Sequence, residues 1–520
     1  MISHAARASK LRPGTCSSSR HYHQQERQLS DHPHPRLPFL GDSELRTRAG
    51  WLRRGLSDRD PAERALEGSP YHFSPGADMT LRQVLDRTMR LMRDELDPST
   101  PDDALLAALT ETEVAIVADS SNLASHSAQT AFVTLALRMA RSGHRVHLIA
   151  PDILLAAAQP PVAVGPMITG LLTVGRDLLP GVTFTDAMPA GRVDLVVTFG
   201  DAATSLQGRT MIGINADDWT GMLVPPARAT RWRADRRPLG AMSAAAMAAA
   251  EAFKIAMRKM VKSARDPAIM METFAPSTDV EFALAPAGTP MANTLGEIDC
   301  VSGGAITQSA LFALMRLPEV RGHVRVFEYD FTDLTNLNRY MLLLRSHLGA
   351  QKAEDLEEMC AGTGLAVTPI PERFGPETAN SVGLREVVLV GVDDIPSRWL
   401  VQRAWPAWLG VGATTHWSAM ASFHAPGADG CAECLHPDDD PTEAPIPTVA
   451  FVSFWAGLLT AAYFLRHCAG VLGAPFLDQQ VYVTPVRPES PIWAIVPKRP
   501  GCGTCAMLQS SVAAPATEEQ

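Results

Sequence analysis

Ile298-Asp299-Cys300-Val301-Ser302-Gly303-Gly304-Ala305-Ile306-Thr307 reads as a buried strand turning into a helix through a run of small residues. The helix is expected over 308–316, because Pro318 closes it. A small-residue turn between strand and helix lets backbone N–H groups and the helix N-terminus approach a phosphate closely. Such loops usually have glycine where Ser302 and Thr307 stand, so this one is degenerate, and a βα turn with no ligand would look the same. The next strand, 324–329, leads into Glu328-Tyr329-Asp330, where a carboxylate can take a ribose hydroxyl. Loop and acid together fit a nicotinamide dehydrogenase equally well.

The residues further on favour a triphosphate. Asp333-Leu334-Thr335-Asn336-Leu337-Asn338-Arg339 follows, and Lys352 lies thirteen residues after the arginine. Asn336 and Arg339 share one face if this stretch is helical. Arg339 would meet phosphate as a planar fork and Lys352 as a point charge, a pair for which a dehydrogenase has no use. A solvated helix face would carry the same charges. Strand 387–392 then delivers Asp393 and Asp394 at its carboxyl end, where ligands bind in open α/β sheets. We assign Asp393 to a magnesium ion bridging phosphate oxygens, and Asp394 to capping the helix begun by Pro396-Ser397-Arg398.

Working outward, strand candidates 114–118, 145–149 and 193–199 precede this region, and 408–413 closes it. Short β-rich runs separated by helices of ten or more residues predict parallel βαβ units. One plan is used twice. Gly143-His144 and Gly322-His323 open corresponding strands, Asp201 and Asp393 follow corresponding strands, and long apolar helices, 242–260 and 449–465, close the two halves. The expected division is a tail over 1–78, α/β domains over 79–262 and 296–520, and a Pro-, Ala-, Ser- and Thr-rich linker over 263–295. The tail is rich in Arg, Ser and His like a transit peptide, but is read as disordered or as an over-extended start before Met79.

A chain of 520 residues, 46% apolar and 20% charged, can bury a large core. Its net charge of −10 argues against a nucleic-acid partner. Residues 449–465 are at the lower limit for a membrane span, and an acidic, Pro-rich run at 438–447 precedes them; burial between a sheet and a neighbouring domain explains the same apolarity. Eight cysteines in so long a chain make no disulfide framework. Cys431-Ala-Glu-Cys434 and Cys502-Gly-Thr-Cys505 instead predict a closed structural zinc site of four thiolates.

Taken together, the loop Ser302–Thr307, Glu328-Tyr329-Asp330, Asn336-Leu337-Asn338-Arg339, Lys352, Asp393 with Arg398 and the cysteine pairs resemble the ThiF/MoeB/HesA superfamily, relatives of ubiquitin-activating enzymes. The resemblance covers about 296–505. It implies tandem Rossmann-like, doubly wound sheets forming a pseudo-dimer, with an inactive first half fused to an active second. It implies ATP binding by Ser302, Gly303, Gly304, Glu328, Asp330, Asn336, Arg339 and Lys352, with Glu328 on the ribose and Asp393 on Mg2+. Arg339, Lys352 and Asp393 would be the catalytic groups. The implied reaction is adenylation of a carboxylate, the C-terminal glycine of a ubiquitin-like or sulfur-carrier protein. In relatives an arginine of the partner half reaches ATP, and Arg82, Arg87 and Arg90 are the candidates here. Two departures stand out: the missing loop glycines, and Tyr340 where glutamine usually follows the arginine. Many relatives carry an acyl-accepting cysteine after the first Cys pair, whereas 435–467 contains none and Cys468 is read as buried. The expected location is cytoplasmic, with no membrane partner and room for a further homodimer. The rival readings are an NAD(P)-dependent oxidoreductase and a catalytically weak adaptor.

Overall fold

The computed structural model describes residues 80–182, 184–426, 430–437, 447–472 and 479–507. The predicted tail, 1–78, and most of the acidic run, 438–446, lie outside the described residues.

The described residues form two sheets. The first contains β1 (Glu113–Val117), β2 (Arg145–Ile149), β3 (Phe184–Thr185), β4 (Val193–Phe199), β5 (Gly208–Ala216), β6 (Thr220–Val224) and β7 (Val280–Ala283). The second contains β8 (Thr294–Val301), β9 (Arg321–Phe327), β10 (Leu365–Ile370), β11 (Val387–Val390), β12 (Trp408–Thr415), β13 (Ser418–His424), β14 (Gln480–Val483) and β15 (Ile492–Ala494). Their orders are β3-β2-β1-β4-β5-β6-β7 and β10-β9-β8-β11-β12-β13-β14-β15. In each, the first five strands in order pair parallel and those beyond pair antiparallel. The second sheet therefore repeats the first strand for strand and adds one edge strand. The predicted duplication is real at the level of topology. In both sheets the winding reverses between the first and fourth strands, which opens a crevice at their carboxyl ends.

The central strands are apolar on both faces because helices cover both sides. Val193–Phe199 is buried along its whole length. The Ala-rich helix Leu239–Lys259 covers the first sheet and Ala450–Cys468 covers the second, and the two helices touch each other. Ala450–Cys468 also lies against the helix Ala305–Leu314 at Gly457, where a Cβ would come within 2.5 Å of Ile306 O. Only glycine permits that approach, which seats the helix beneath the small-residue loop. By length and composition Leu239–Lys259 could cross a membrane, but 94% of its apolar window is buried inside the protein. The helix expected over 449–465 is equally enclosed.

Three buried arginines bind the halves together. Arg141 donates to Leu337 O (2.6 Å), Met341 O (3.2 Å) and Leu343 O (2.6 Å). Arg138 bonds Ala450 O and lies over the Phe454 ring. Arg316 returns the contact from the second half to Pro160 O, while His126 bonds Arg316 O (2.7 Å). At Arg141 three carbonyls share the buried charge. Burial nevertheless pulls Arg141 down to about 9.

Some expected elements differ. The stretch read as linker, 263–295, contains the helix Pro267–Thr273 and β7, which completes the first sheet. The helix expected over 308–316 begins at Ala305, because Gly304 is its N-cap.

Candidate functional site

At the carboxyl ends of β8 and β11 lies a cavity of about 320 Å³. Its walls include Ser302, Gly304, Glu328, Asp330, Asn336, Arg339, Lys352 and Asp393, so residues predicted from five separate stretches meet in one place. Gly303 sits just behind, held by Glu328.

The loop is organised from within. Ser302 has φ of +96°, in the left-handed region that favours glycine. Its Oγ accepts from Gly304 N–H (2.9 Å), and Glu328 Oε2 accepts from Gly303 N–H (2.8 Å). The buried Glu328 also accepts from Asp330 N–H (3.0 Å) through Oε1, so this carboxylate first of all shapes the loop. The N-terminus of Ala305–Leu314 has no side-chain cap, and Ala305 and Ile306 border the cavity. Its first N–H groups can thus face an anion. Replacing Ser302 by Gly should raise stability by about 1 kcal/mol through relief of the strained φ, seen as a higher Tm.

The Asn336–Arg339 pair does not share a regular helix face. Leu334–Asn336 is a single 3-10 turn capped by Asp333, whose N–H donates back to Asn336 Oδ1 (2.9 Å). A further turn follows through Arg339 and Tyr340 N–H to Asn336 O (3.1 and 3.0 Å). Arg339 is buried, bonded to Thr335 O and to Asn338 Oδ1 (3.1 Å), and lowered to about 10, first by burial and then by nearby Arg87. Lys352 opens the helix Lys352–Cys360 and pairs with Asp330. Burial opposes its charge, but Tyr340, Glu328 and Asp330 outweigh that and hold its pKa above the usual lysine range.

On the opposite wall Asp394 caps Ile395–Arg403 by accepting from Ser397 N–H (2.8 Å). Asp393 is exposed and borders the cavity, without an ion-pair partner among the described residues. Arg398 donates to Val392 O (3.1 and 2.8 Å) and so fixes the backbone that carries Asp393.

The first half contributes more than sequence reasoning anticipated. Of the three arginine candidates, Arg87 lines the cavity, whereas Arg82 pairs with Asp102 and Asp103, and Arg90 with Asp86. Thr88 accepts from Asn338 Nδ2 (3.1 Å), and the carbonyls of Leu337 and Met341 held by Arg141 bracket Asn338 and Arg339. The first half thereby holds the turn that presents Arg339. After β1 in the first half, Asn122 donates to Asp119 and to Asp201 Oδ1 (2.9 Å) and accepts from Trp232 N–H (2.9 Å).

The four cysteine sulfurs Cys431, Cys434, Cys502 and Cys505 lie within 4.8 Å of one another, with approaches of 3.5 to 3.8 Å. Tetrahedral zinc with bonds of about 2.3 Å requires sulfurs about 3.8 Å apart, so the cluster fits that ion. Arg499 N–H donates to Cys434 Sγ (3.3 Å) and Cys505 N–H to Cys502 Sγ (3.5 Å). Glu433, between the first two ligands, accepts from Thr504 N–H (3.0 Å) and Arg403 (2.9 Å). Cys468 ends the helix whose other end carries Ser453 at the cavity, roughly 22 Å away at 1.5 Å per residue. Burial raises its thiol to about 11, so it is neither near the site nor ionised at neutral pH.

Residues 304–513 match the ThiF family, and residues 113–272 match the BilD N-terminal domain. A curated relative from Sinorhizobium fredii (strain NBRC 101917 / NGR234), described as "Uncharacterized protein y4jF", is 28% identical over 200 residues. That match spans 38% of this chain and 38% of the relative. Among solved structures, E. coli MccB with ATP is 15% identical over 49% of this chain and 73% of that one, at a TM-score of 0.34. E. coli MccB with MccA is 13% identical over 57% and 97%, at 0.35. The chain carries a ThiF-family domain in its C-terminal half, behind a BilD N-terminal domain.

Proposed function

We propose that the second half adenylates the C-terminal glycine carboxylate of a ubiquitin-like or sulfur-carrier protein, using ATP, with the first half as an inactive pseudo-dimeric partner. The ThiF-family match supports carboxylate adenylation in general. The observation that carries the ATP reading is the convergence of Arg87, Arg339 and Lys352 with an uncapped helix N-terminus on one cavity, facing the unpaired Asp393. Three cations suit a triphosphate and exceed what a dinucleotide of an oxidoreductase needs.

In this reading the carboxylate oxygen attacks the α-phosphorus in line, the bond to the bridging oxygen breaks, and pyrophosphate leaves as acyl-adenylate forms. Lys352 and Arg339 neutralise charge on the phosphates, and Arg87 does so from the other half. Asp393 would hold the magnesium ion, which supplies further charge neutralisation between phosphate oxygens. Positioning and electrostatics account for the rate, with no covalent enzyme intermediate. The four thiolates would hold a structural zinc, which suits a reducing compartment such as the cytoplasm.

An AMP adduct on the carrier, read by intact mass after acid quench, tests this directly. Arg87→Ala should lower adduct formation by about tenfold or more, whereas Arg82→Ala and Arg90→Ala should stay within about twofold. Equal rates in all three would remove Arg87 from the site. Cys468→Ser should leave the adduct unchanged; a DTT-sensitive carrier–enzyme bond that requires Cys468 would add a thioester step. The internally bonded Ser302 loop favours one second reading, an adaptor that binds ATP without turning it over. ATP binding with no adduct on any carrier would support that alternative.

A further inference from the structure

Two departures from the usual residues of this site, Ser302 and Tyr340, sit side by side. A Cβ placed on Gly304 would lie 3.0 Å from Ser302 Oγ and 3.7 Å from Tyr340 Oη. Ser302 consumes the Gly304 N–H, which removes one backbone donor from a loop of the kind that cradles phosphate. Tyr340 is 5% exposed, yet its hydroxyl has no hydrogen-bond partner among the described residues. Buried tyrosine hydroxyls ordinarily find one. Here the side chain lines the cavity, so the free donor faces the ligand space.

The ring is placed for the same task. Its centroid lies 5.3 Å from the Arg339 guanidinium and 5.7 Å from Lys352 Nζ, so one aromatic ring neighbours both cations. Its backbone N–H is tied to Asn336 O, which sets the ring's direction from the same turn that presents Arg339.

We propose that Tyr340 Oη donates a hydrogen bond to a phosphate oxygen of the bound nucleotide and replaces the donor that Ser302 withdraws from Gly304. The two substitutions are then one compensated change. Glutamine at this position would be shorter and would leave the two cations without a shared ring. This inference rests on the nucleotide reading above, and it adds a phosphate-contacting residue specific to this loop.

The test is a double-mutant cycle on the full chain, with ATP and adenosine titrated calorimetrically. Tyr340→Phe keeps the ring and should weaken ATP by about tenfold, the scale of a hydrogen bond to a charged acceptor, with adenosine affinity unchanged. In the Ser302→Gly background, where the loop donor is restored, the same replacement should cost less than about threefold. Unchanged ATP affinity in Tyr340→Phe, or equal losses for ATP and adenosine, would overturn the proposal while leaving adenylation intact. Failure of the unmodified protein to bind ATP would overturn both. Tyr340→Gln provides the second variant: it should weaken ATP at least as much, and full affinity there would also contradict the assignment.

Discussion

Replacing Arg339 by Ala should lower ATP–pyrophosphate exchange by at least about a hundredfold, the scale of losing one preorganised group at a developing charge. The expectation follows from how the side chain is held. Arg339 is buried, its charge is shared with Thr335 O and Asn338 Oδ1, and the turn that carries it is braced by Thr88 and Arg141 of the first half. Preorganisation of that kind means the cation does not have to be repositioned when phosphate arrives. Arg339→Lys should recover little, because a point charge cannot reproduce the fork. Both sheets should remain folded, since the side chain bonds only its own turn, and circular dichroism would check that. Exchange within threefold of the unmodified protein would remove Arg339 from the machinery.

The second large effect concerns the cysteine cluster. Replacing Cys434 by Ser, or stripping metal with a chelator, should abolish stoichiometric zinc and lower Tm by several degrees. Structural zinc contributes on the order of 10 kcal/mol in small isolated sites, and only part of that is expected in a domain with a core of its own. The loss should also reach the nucleotide site. Cys431 and Cys434 frame the short helix Ala432–Leu435, whose Ala432 N–H donates to Gln402 (3.2 Å) while Glu433 pairs with Arg403. Trp399 Nε1 donates to His436 O (2.8 Å). All three contacts hold the helix Ile395–Arg403, which begins at Asp394 beside Asp393. Metal-free protein should therefore lose exchange activity at a temperature where its first half is still folded. Metal analysis showing no zinc in the unmodified protein, with unchanged Tm in Cys434→Ser, would contradict the site.

Several parts of this arrangement were legible in the sequence for identifiable reasons. β2 and β4 are legible residue for residue because Gly143 and Pro151 flank the one and Gly191 and Gly200 the other. β3, β5 to β7, β10 and β13 to β15 fall outside the strands expected from the sequence; β3 and β15 are only two and three residues long. β7 alternates Val280 and Phe282 with exposed residues over only four positions, inside a Pro-rich stretch. Glu328, Asp330 and Asp393 were legible because they follow strand ends, where the topology makes ligands bind. What braces the turn of Arg339 was not. Thr88 meets Asn338 across 250 residues and Arg141 meets Leu337 across 196, contacts that no local pattern encodes. Arg87 could be named only as one of three: Arg82 meets Asp102 and Asp103 only in the folded chain, while Asp86, the partner of Arg90, lies four residues away on the same helix. The Asn336–Arg339 spacing suggested one helix face, while the chain instead makes two successive tight turns that bring both residues to the cavity.

ATP-dependent activation of a carrier's C-terminal carboxylate is read most directly by pyrophosphate exchange. The full chain would be assayed with labelled pyrophosphate, ATP and magnesium against carrier proteins encoded beside it, each with and without its terminal glycine. Exchange that depends on one intact carrier, disappears when its glycine is removed and is lost in Arg339→Ala is the predicted result. ATP bound without exchange for any carrier, or a nicotinamide dinucleotide bound in place of ATP, would contradict it.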